Sequence, residues 1–251
     1  MSHAVIQKSL NQTIDRTTLE EISTVAPSVA RGDCARLARE LFGIVVQNIG
    51  REEARDFARH LTAAGFPAEA VPQHELPLLP TPARKRGLTW TDDHLVVYDG
   101  MMREQVFPRE EVRFAAGGFM ARQQYQAEWS YEWVVRPSFR GGTVQKVAVK
   151  DLENLVKDTV FRLELHLGRE PFRLLFQVDH DSMLKVHGGM IRFRQKEELL
   201  NLLRDWGNLL GRDGCNLGIQ AAMEQAPMIY PNAGAFEEEL TWRLFQAIRQ
   251  T

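Results

Sequence analysis

The chain has little cysteine and no apolar run long enough to cross a bilayer, which takes about 18 residues. Two cysteines among 251 residues do not make a disulfide scaffold. Cys34 falls on an apolar helical stripe, so we expect it to be buried. Cys215 follows Gly214, so we expect it in an exposed loop. The N-terminus lacks a basic segment followed by an apolar core, which argues against a secretory signal. We therefore expect a cytoplasmic protein without integral membrane association.

An excess of either charge is also missing, because 31 basic residues stand against 33 acidic ones. Proteins that bind nucleic acids usually carry a basic excess, so we expect no nucleic-acid partner. Arg84, Lys85 and Arg86 form the only dense basic cluster in the sequence. The cluster adjoins a proline-rich stretch, which is typical of a solvated linker. Contact with an anionic surface is the alternative.

The sequence lacks the common catalytic and cofactor signatures. It contains no dinucleotide-binding glycine fingerprint, no phosphate-binding loop and no Gly-x-Ser-x-Gly nucleophile motif. We therefore predict no cofactor and no catalytic residue, and enzymatic activity is the less favoured interpretation.

The densest group of metal-binding residue types is Asp179, His180 and Asp181, with His187 nearby. Two carboxylates and two imidazoles could bind a divalent metal or serve a hydrolase. Consecutive residues of an extended chain point in different directions, however, and a zinc-ligand spacing is missing. We therefore interpret the group as a polar turn, with metal binding as the alternative.

Residues 1–72 alternate between strand and helix patterns, which predicts a small α/β module. Thr17 and Glu20 have capping-box spacing, and Asp33 can cap a second helix. A third helix is predicted from Arg51 to Ala64. It joins strands predicted at 43–49 and 67–71, and the two strands of such a unit should run in the same direction.

Four prolines between positions 72 and 82 separate this module from the C-terminal part of the chain. Proline lacks an amide donor and restricts the preceding residue, so the sequence predicts a semi-rigid linker over 73–87. Leu76, Leu78 and Leu79 indicate that this linker lies against a domain surface.

Residues 88–211 show mostly period-two patterning and predict a β-rich module closed by a helix from Lys196 to Leu210. Its clearest element is a hairpin over 161–178. The polar residues of this hairpin alternate with leucine or phenylalanine, so the sequence predicts that they face solvent. They are Arg162, Glu164, His166, Arg173 and Gln177.

Residues 212–251 predict a helical extension. Its last helix, Phe236 to Arg249, places four apolar residues on one face and three acidic residues in its first turn. The apolar residues are Phe236, Leu240, Leu244 and Ile248. The acidic residues are Glu237, Glu238 and Glu239.

Two aromatic groups are candidates for an interface. Trp129, Tyr131 and Trp133 alternate along one predicted strand, so they share a face that forms either core or a protein contact. Trp242 and Phe245 lie off the main stripe of the last helix. They widen its apolar surface enough to contact a second subunit, so a homodimer is one prediction.

The order of these elements predicts an α+β fold. Residues 88–210, short antiparallel strands followed by an amphipathic helix, resemble a pleckstrin-homology-like barrel or sandwich. Residues 1–72 resemble a small ferredoxin-like or signal-transducer module. The proline-rich joint followed by Val106 to Val112 resembles bacterial proteins of this two-module build. The resemblance implies binding of a protein partner, or sensing of a small ligand, and transfers no catalytic residue.

Overall fold

The computed structural model describes residues 1–10, 12–125, 128–136, 143–151, 155–168 and 172–250. Side-chain surroundings are described for these residues except 123–125, 128–136, 143–151, 155–157 and 250. The described part is a mixed α+β fold with six α-helices, and none of its sheets closes into a barrel. The predicted α+β class is therefore confirmed.

The N-terminal module, residues 1–72, is a three-stranded sheet covered by helices. Its strands are β1 (His3–Gln7), β2 (Ile44–Ile49) and β3 (Ala68–Pro72). Its helices are α1 (Arg16–Ile22), α2 (Cys34–Glu40) and α3 (Arg51–Ala63). Both β2 and β3 pair antiparallel with β1, which lies between them. As predicted, β2 and β3 therefore point the same way, and β2 forms one edge of the sheet.

Helix α3 buries the face that its sequence spacing predicts, through Ala54, Phe57, Ala58 and Leu61. The predicted caps of the two earlier helices are wrong. Helix α1 is capped by Asp15, whose carboxylate accepts a 2.9 Å hydrogen bond from the backbone amide of Thr18. Asp33 precedes α2 but makes no side-chain cap, because its own backbone is already helical.

Twelve strands and three helices make up the rest of the described chain. The strands are β4 (Ala83–Lys85), β5 (Gly87–Trp90), β6 (His94–Tyr98), β7 (Glu104–Pro108), β8 (Val112–Tyr125), β9 (Glu128–Arg136), β10 (Thr143–Asp151), β11 (Leu155–Leu167), β12 (Phe172–Val178), β13 (Met183–Val186), β14 (Gly189–Arg192) and β15 (Ile229–Tyr230). The helices are α4 (Lys196–Leu210), α5 (Leu217–Met223) and α6 (Ala233–Gln250).

Two five-stranded sheets form the β-rich module, with the orders β15-β8-β11-β12-β4 and β14-β13-β5-β6-β7. Strands β9 and β10 pair as a separate two-stranded ribbon. One apolar core joins Leu88 and Leu95 of the second sheet, Leu163 and Leu165 of the first, and Trp206 of α4. The two sheets and α4 therefore share a core, and the predicted 161–178 hairpin is present as β11 and β12.

The predicted linker, 73–87, is partly structured. Strand β4 adds to the edge of the first sheet, parallel to β12, with Ala83 opposite Leu174. Leu76 is buried, whereas Leu78 is 93% exposed. The proline-rich segment thus lies along the protein surface, as its leucines indicate, with one of them left in solvent.

Helix α6 begins earlier than predicted, at Ala233, where the side chain of Asn232 accepts a 2.8 Å hydrogen bond from the amide of Ala235. Glu237, Glu238 and Glu239 therefore lie beyond the first turn, and the predicted role in the helix dipole is wrong. The predicted apolar stripe is also incorrect at its end, because Ile248 is 61% exposed.

Helix α6 packs against both modules. Phe236 and Leu240 join a core with Met120 of β8 and Tyr230 of β15. A turn later, Trp242 and Phe245 join another core with the N-terminal sheet; its other buried members are Ala4, Ile6, Ile44, Val71 and Leu76. The C-terminal helix therefore holds the two modules together.

Candidate functional site

A cleft of the described structure lies between the N-terminal module, the proline-rich segment and the start of α6. Its volume is about 810 Å³. Four parts of the chain line it: α2, the edge strand β2, the proline-rich residues 73–79 and the first turns of α6. Clefts between structural units are frequent sites of ligand binding, so this is the first place to test for function.

Trp242 fixes the position of α6 against the N-terminal sheet. Its indole nitrogen donates a 2.6 Å hydrogen bond to the carbonyl of Gln7 in β1. The ring lies against Gly43, where an added Cβ atom would collide with the indole. Gly43 also has φ of +104°, a conformation that L side chains rarely adopt. Glycine therefore allows α6 to approach the start of β2 closely.

Glu238 is the most perturbed acid in the cleft. Its carboxylate accepts hydrogen bonds from the backbone amides of Phe42, at 2.8 Å, and Ile44, at 3.3 Å. Burial raises the pKa of Glu238 to about 7, because desolvation disfavours the ionised form. The negative charge of Glu40 raises this pKa further, and the two amide hydrogen bonds oppose the rise.

One wall of the cleft is the free edge of a sheet. Strand β2 pairs with β1 on one side only, and its residues Ile44 to Asn48 line the cleft. Glu238 covers the amide of Ile44, and the side chain of Gln73 accepts from the amide of Asn48 at 3.2 Å. Between these two points Val46 is half-buried and Gln47 exposed. An unpaired sheet edge is a template for an added strand.

The charged side chains of the cleft are mostly acidic. Asp33, Glu40, Glu237 and Glu238 line it, with Arg36 as the only basic residue. Arg36 is itself 3.3 Å from Glu40 and 3.6 Å from Asp33. The electrostatic character of the cleft therefore favours a cationic ligand over an anionic one.

A buried charged cluster lies behind the cleft, on the hairpin predicted to face solvent. That prediction is wrong for Arg162, Glu164, His166 and Arg173, which are 8%, 0%, 4% and 3% exposed. Gln177 is half-buried. Helix α6 and the proline-rich segment cover this face of the sheet, and the opposite charges pair with one another. The hairpin is therefore buried on both faces.

Glu164 is the centre of this cluster. Its carboxylate accepts hydrogen bonds from Arg162 at 2.6 Å and from Arg173 at 2.8 Å. Arg173 also donates to the carbonyl of Pro80 at 2.8 Å, and Arg162 to Glu237 at 3.0 Å. Burial alone would raise the pKa of Glu164, but the neighbouring His166 and the two guanidinium groups outweigh it and lower that pKa. The cluster thus links the hairpin, the proline-rich segment and α6.

A second buried network fixes the other side of α6. The hydroxyl of Tyr230 donates a 2.5 Å hydrogen bond to Glu239 and accepts one of 2.8 Å from Asn216. Glu239 also accepts from the amide of Leu217 at 2.7 Å. Burial raises the pKa values of both Tyr230 and Glu239. These contacts are structural, because every polar group in them is satisfied within the chain.

The residues predicted as metal ligands do not come together. His187 packs against Trp90 in a tilted arrangement, with ring centroids 4.1 Å apart, and its Nδ1 lies 2.8 Å from the hydroxyl of Thr89. His180 instead lies 3.0 Å from Asp158. Asp179 accepts a 2.6 Å hydrogen bond from Ser182, as in a polar turn. Asp181 is exposed. Across the described side chains, no three His, Cys, Asp or Glu residues are placed to hold a metal ion.

The basic cluster has a mixed environment. Arg84, Lys85 and Arg86 line a cleft of about 430 Å³, but Asp179 and Asp181 line it too. Lys85 donates a 2.5 Å hydrogen bond to Gln105. The cluster is therefore not a uniformly positive surface.

The aromatic candidates fall in different places. Trp129, Tyr131 and Trp133 lie on strand β9 as predicted, and their side chains lie outside the described residues. Trp242 and Phe245 are buried within the chain, at 8% and 3% exposure, so they contact the N-terminal module and not a second subunit.

The burial prediction is confirmed for one cysteine and wrong for the other. Cys34 is buried as predicted, but Cys215 is also buried, so its predicted exposure is wrong. Burial raises the pKa of Cys215 to about 12, which keeps its thiol protonated and unreactive.

Among the helices of the described residues, none has the length and apolar character needed to cross a membrane.

The sequence interpretation missed Glu238 and the edge of β2 as parts of a site. The three successive glutamates are predicted together as the acidic first turn of the last helix, and only the hydrogen bond from Phe42 distinguishes Glu238 from its neighbours. The proline-rich segment was a usable signal, because its leucines indicated contact with a neighbouring surface.

Comparison with protein-family models, with curated proteins and with solved structures finds no match to the chain.

Proposed function

We propose that this is a binding protein whose cleft between the N-terminal module and α6 takes an extended, basic segment of a partner protein. The observation that carries the proposal is the free edge of β2 inside an acidic cleft of about 810 Å³. Backbone hydrogen bonds to the strand edge would supply affinity, and lysine or arginine side chains would pair with Glu40 and Glu238.

The open shape of the site also favours a peptide. Leu78 is 93% exposed beside the cleft and provides an apolar contact for an incoming chain. Glu238 and Gln73 already bond the amides of Ile44 and Asn48, so the part of β2 left for an added strand is Val45 to Gln47, roughly 10 Å of edge. A protein that binds in this way needs no reactive group, which agrees with a non-enzymatic role.

The expected resemblances fit this proposal. Pleckstrin-homology-like domains and small ferredoxin-like modules serve mainly in binding and sensing, and a cytoplasmic adaptor built from both would act through contacts. The alternatives have less support. The residues proposed for a metal-binding or hydrolytic loop are dispersed, and the residues proposed for an anionic surface share their cleft with two aspartates. Self-association through Trp129, Tyr131 and Trp133 stays a prediction.

Peptide binding tests the proposal. The probes are two fluorescent peptides of about nine residues, one alternating lysine with threonine and the other glutamate with threonine, titrated to about 1 mM. The lysine peptide should bind and the glutamate peptide should not. Glu40→Gln should weaken binding severalfold, because it removes a negative charge and leaves Arg36 without its carboxylate at 3.3 Å.

The matched control is Glu110→Gln, which removes the same charge from an exposed position outside the cleft. It should leave the affinity unchanged. The proposal would be contradicted if the two peptides bound equally or if neither bound. Equal effects of the two substitutions would also contradict it.

A further inference from the structure

A second and separate cavity lies at the far end of α6. Its volume is about 230 Å³. Strand β8, the end of β11, the turn before Cys215 and the last turns of α6 surround it. The lining residues are Arg113, Phe114, His166, Leu167, Gly168, Asp213, Arg243, Leu244 and Ala247.

The inner wall of this cavity is His166, which is only 4% exposed. Neither of its ring nitrogens has a hydrogen-bond partner. The nearest carboxylate oxygen, on Glu164, is 3.6 Å from Nε2, which is too long for a hydrogen bond. Nε2 is nevertheless close enough to Glu164 to help lower the pKa of that acid, which leaves Nδ1 as the ring nitrogen without any partner among the described residues. A buried polar group without a partner costs about 1–3 kcal/mol, so Nδ1 points to a missing polar partner.

The charged residues that line the cavity indicate the charge of that missing partner. Arg113 is exposed, and no described residue pairs with its guanidinium. Arg243 lies opposite, 3.2 Å from the buried carboxylate of Glu239. Asp213 is the only acid in the lining and is exposed. Arg243 is paired with Glu239, so the argument for an anionic group rests on the guanidinium of Arg113, which has no partner in the described part of the chain, and on the ring of His166.

The remaining walls are apolar. Phe114 packs edge-on against His166 with ring centroids 5.5 Å apart, and Leu244 and Ala247 face it from α6. Inorganic phosphate would leave these walls without a contact. A volume of about 230 Å³ is smaller than the 300–1,000 Å³ typical of sites for drug-sized ligands, which restricts the occupant to a small molecule.

We propose that this cavity binds a small organic anion, whose charged group meets Arg113 and His166 and whose apolar body lies against Phe114, Leu244 and Ala247. The site is independent of the cleft between the N-terminal module and α6, because the two share no lining residue. This cavity would bind an anionic ligand, whereas the cleft would bind a cationic segment. The protein would therefore carry a small-molecule site in addition to its proposed peptide site.

The experiment titrates benzoate, acetate and inorganic phosphate separately into the full chain, each to about 10 mM, well above a millimolar dissociation constant. The readout is the ring resonances of His166 in nuclear magnetic resonance spectra, assigned with a His166→Phe variant. Benzoate should shift these resonances at lower concentration than acetate or phosphate, because it alone fills both the polar and the apolar parts.

Two variants test the residues. Arg113→Gln should weaken benzoate binding at least about tenfold, as expected for loss of a charge-assisted hydrogen bond. Arg194→Gln, which removes the same charge at an exposed position outside the cavity, should bind as the wild type does. His166→Phe fills the inner wall with a ring of similar size and should abolish binding measured by calorimetry.

Three results would overturn the proposal: no shift of the His166 resonances with any of the three anions, phosphate binding more tightly than benzoate, or equal loss of binding in Arg113→Gln and Arg194→Gln. Because Arg113 is exposed, its variant should fold normally, and the test does not depend on replacing a buried residue.

Discussion

The carboxylate of Glu238 accepts a 2.8 Å hydrogen bond from the backbone amide of Phe42, 196 positions earlier in the chain. This contact joins the C-terminal helix to the start of the edge strand of the N-terminal sheet. It also places an acid with a pKa of about 7 in the lining of the cleft of about 810 Å³. The geometry of the cleft and its response to pH therefore depend on the same side chain.

Replacing Glu238 by glutamine should change how stability depends on pH. The folded-state pKa of Glu238, about 7, lies above its ordinary value of 4.5, so the folded protein binds the proton more tightly than the unfolded chain. Stability from this group is then greatest below about pH 4.5, falls as the pH rises through 7 and is constant above. The loss is on the order of 2 kcal/mol.

Urea unfolding at about pH 5 and pH 8 measures this loss. In the Glu238→Gln variant the loss should be smaller by that amount, while the glutamine oxygen still accepts from Phe42 and Ile44. Glu110→Gln, an exposed control, should keep the wild-type pH dependence. An unchanged profile in Glu238→Gln would refute the assignment.

Binding of the lysine peptide should itself depend on pH. A cation beside Glu238 favours the ionised carboxylate, so affinity should rise as the pH increases from about 6 to 8, and binding should release protons near pH 7. Calorimetry in two buffers of different ionisation enthalpy measures that release. In Glu238→Gln the release should be reduced, and a wild-type value in this variant would show that other groups titrate.

Removing the central carboxylate of the buried cluster should be costly. Glu164→Gln leaves the buried Arg162 and Arg173 with only the partly exposed Glu237 as counter-charge, so it should destabilise the fold by about 3–5 kcal/mol. Glu237→Gln, at a partly exposed partner of Arg162, should cost under about 1 kcal/mol. Urea unfolding compares them, and similar costs for the two variants would show that the cluster does not depend on Glu164.

Trp242 should hold the two modules together. Trp242→Ala removes a nearly buried aromatic ring and the hydrogen bond to Gln7, so a loss of about 3–5 kcal/mol is expected. Ile248→Ala, at a 61% exposed position of the same helix, should cost under about 0.5 kcal/mol. Thermal unfolding followed by tryptophan fluorescence and circular dichroism provides the comparison. Equal effects would argue against a special role for Trp242.

The hairpin over 161–178 shows what sequence alone could and could not predict. Alternation of leucine with polar residues correctly predicts two strands and their turn. The same alternation predicts a solvated face, and this is wrong because Arg162 and Arg173 are neutralised by Glu164 and covered by α6. The covering residue Glu237 is 75 positions away from Arg162, so no local pattern contains it.

The candidate cleft was harder to predict for the same reason. Helices α3 and α4 agree with their predicted bounds within about one residue, because periodicity within one helix is a local property. Glu238 and the edge of β2, by contrast, form a site only after the chain ends pack together. The proline-rich segment was the single sequence feature that indicated where this packing occurs.

The most direct test of the proposed function is amide hydrogen exchange along β2 with and without the lysine peptide. Added as a strand, the peptide should slow exchange within Val45 to Gln47, between the amides already bonded by Glu238 and Gln73, and leave Val97 and Leu163 in the β-rich core unchanged. Binding at this edge would be contradicted if saturating peptide left exchange within Val45 to Gln47 unaltered. Equal slowing of exchange throughout the chain would also contradict it.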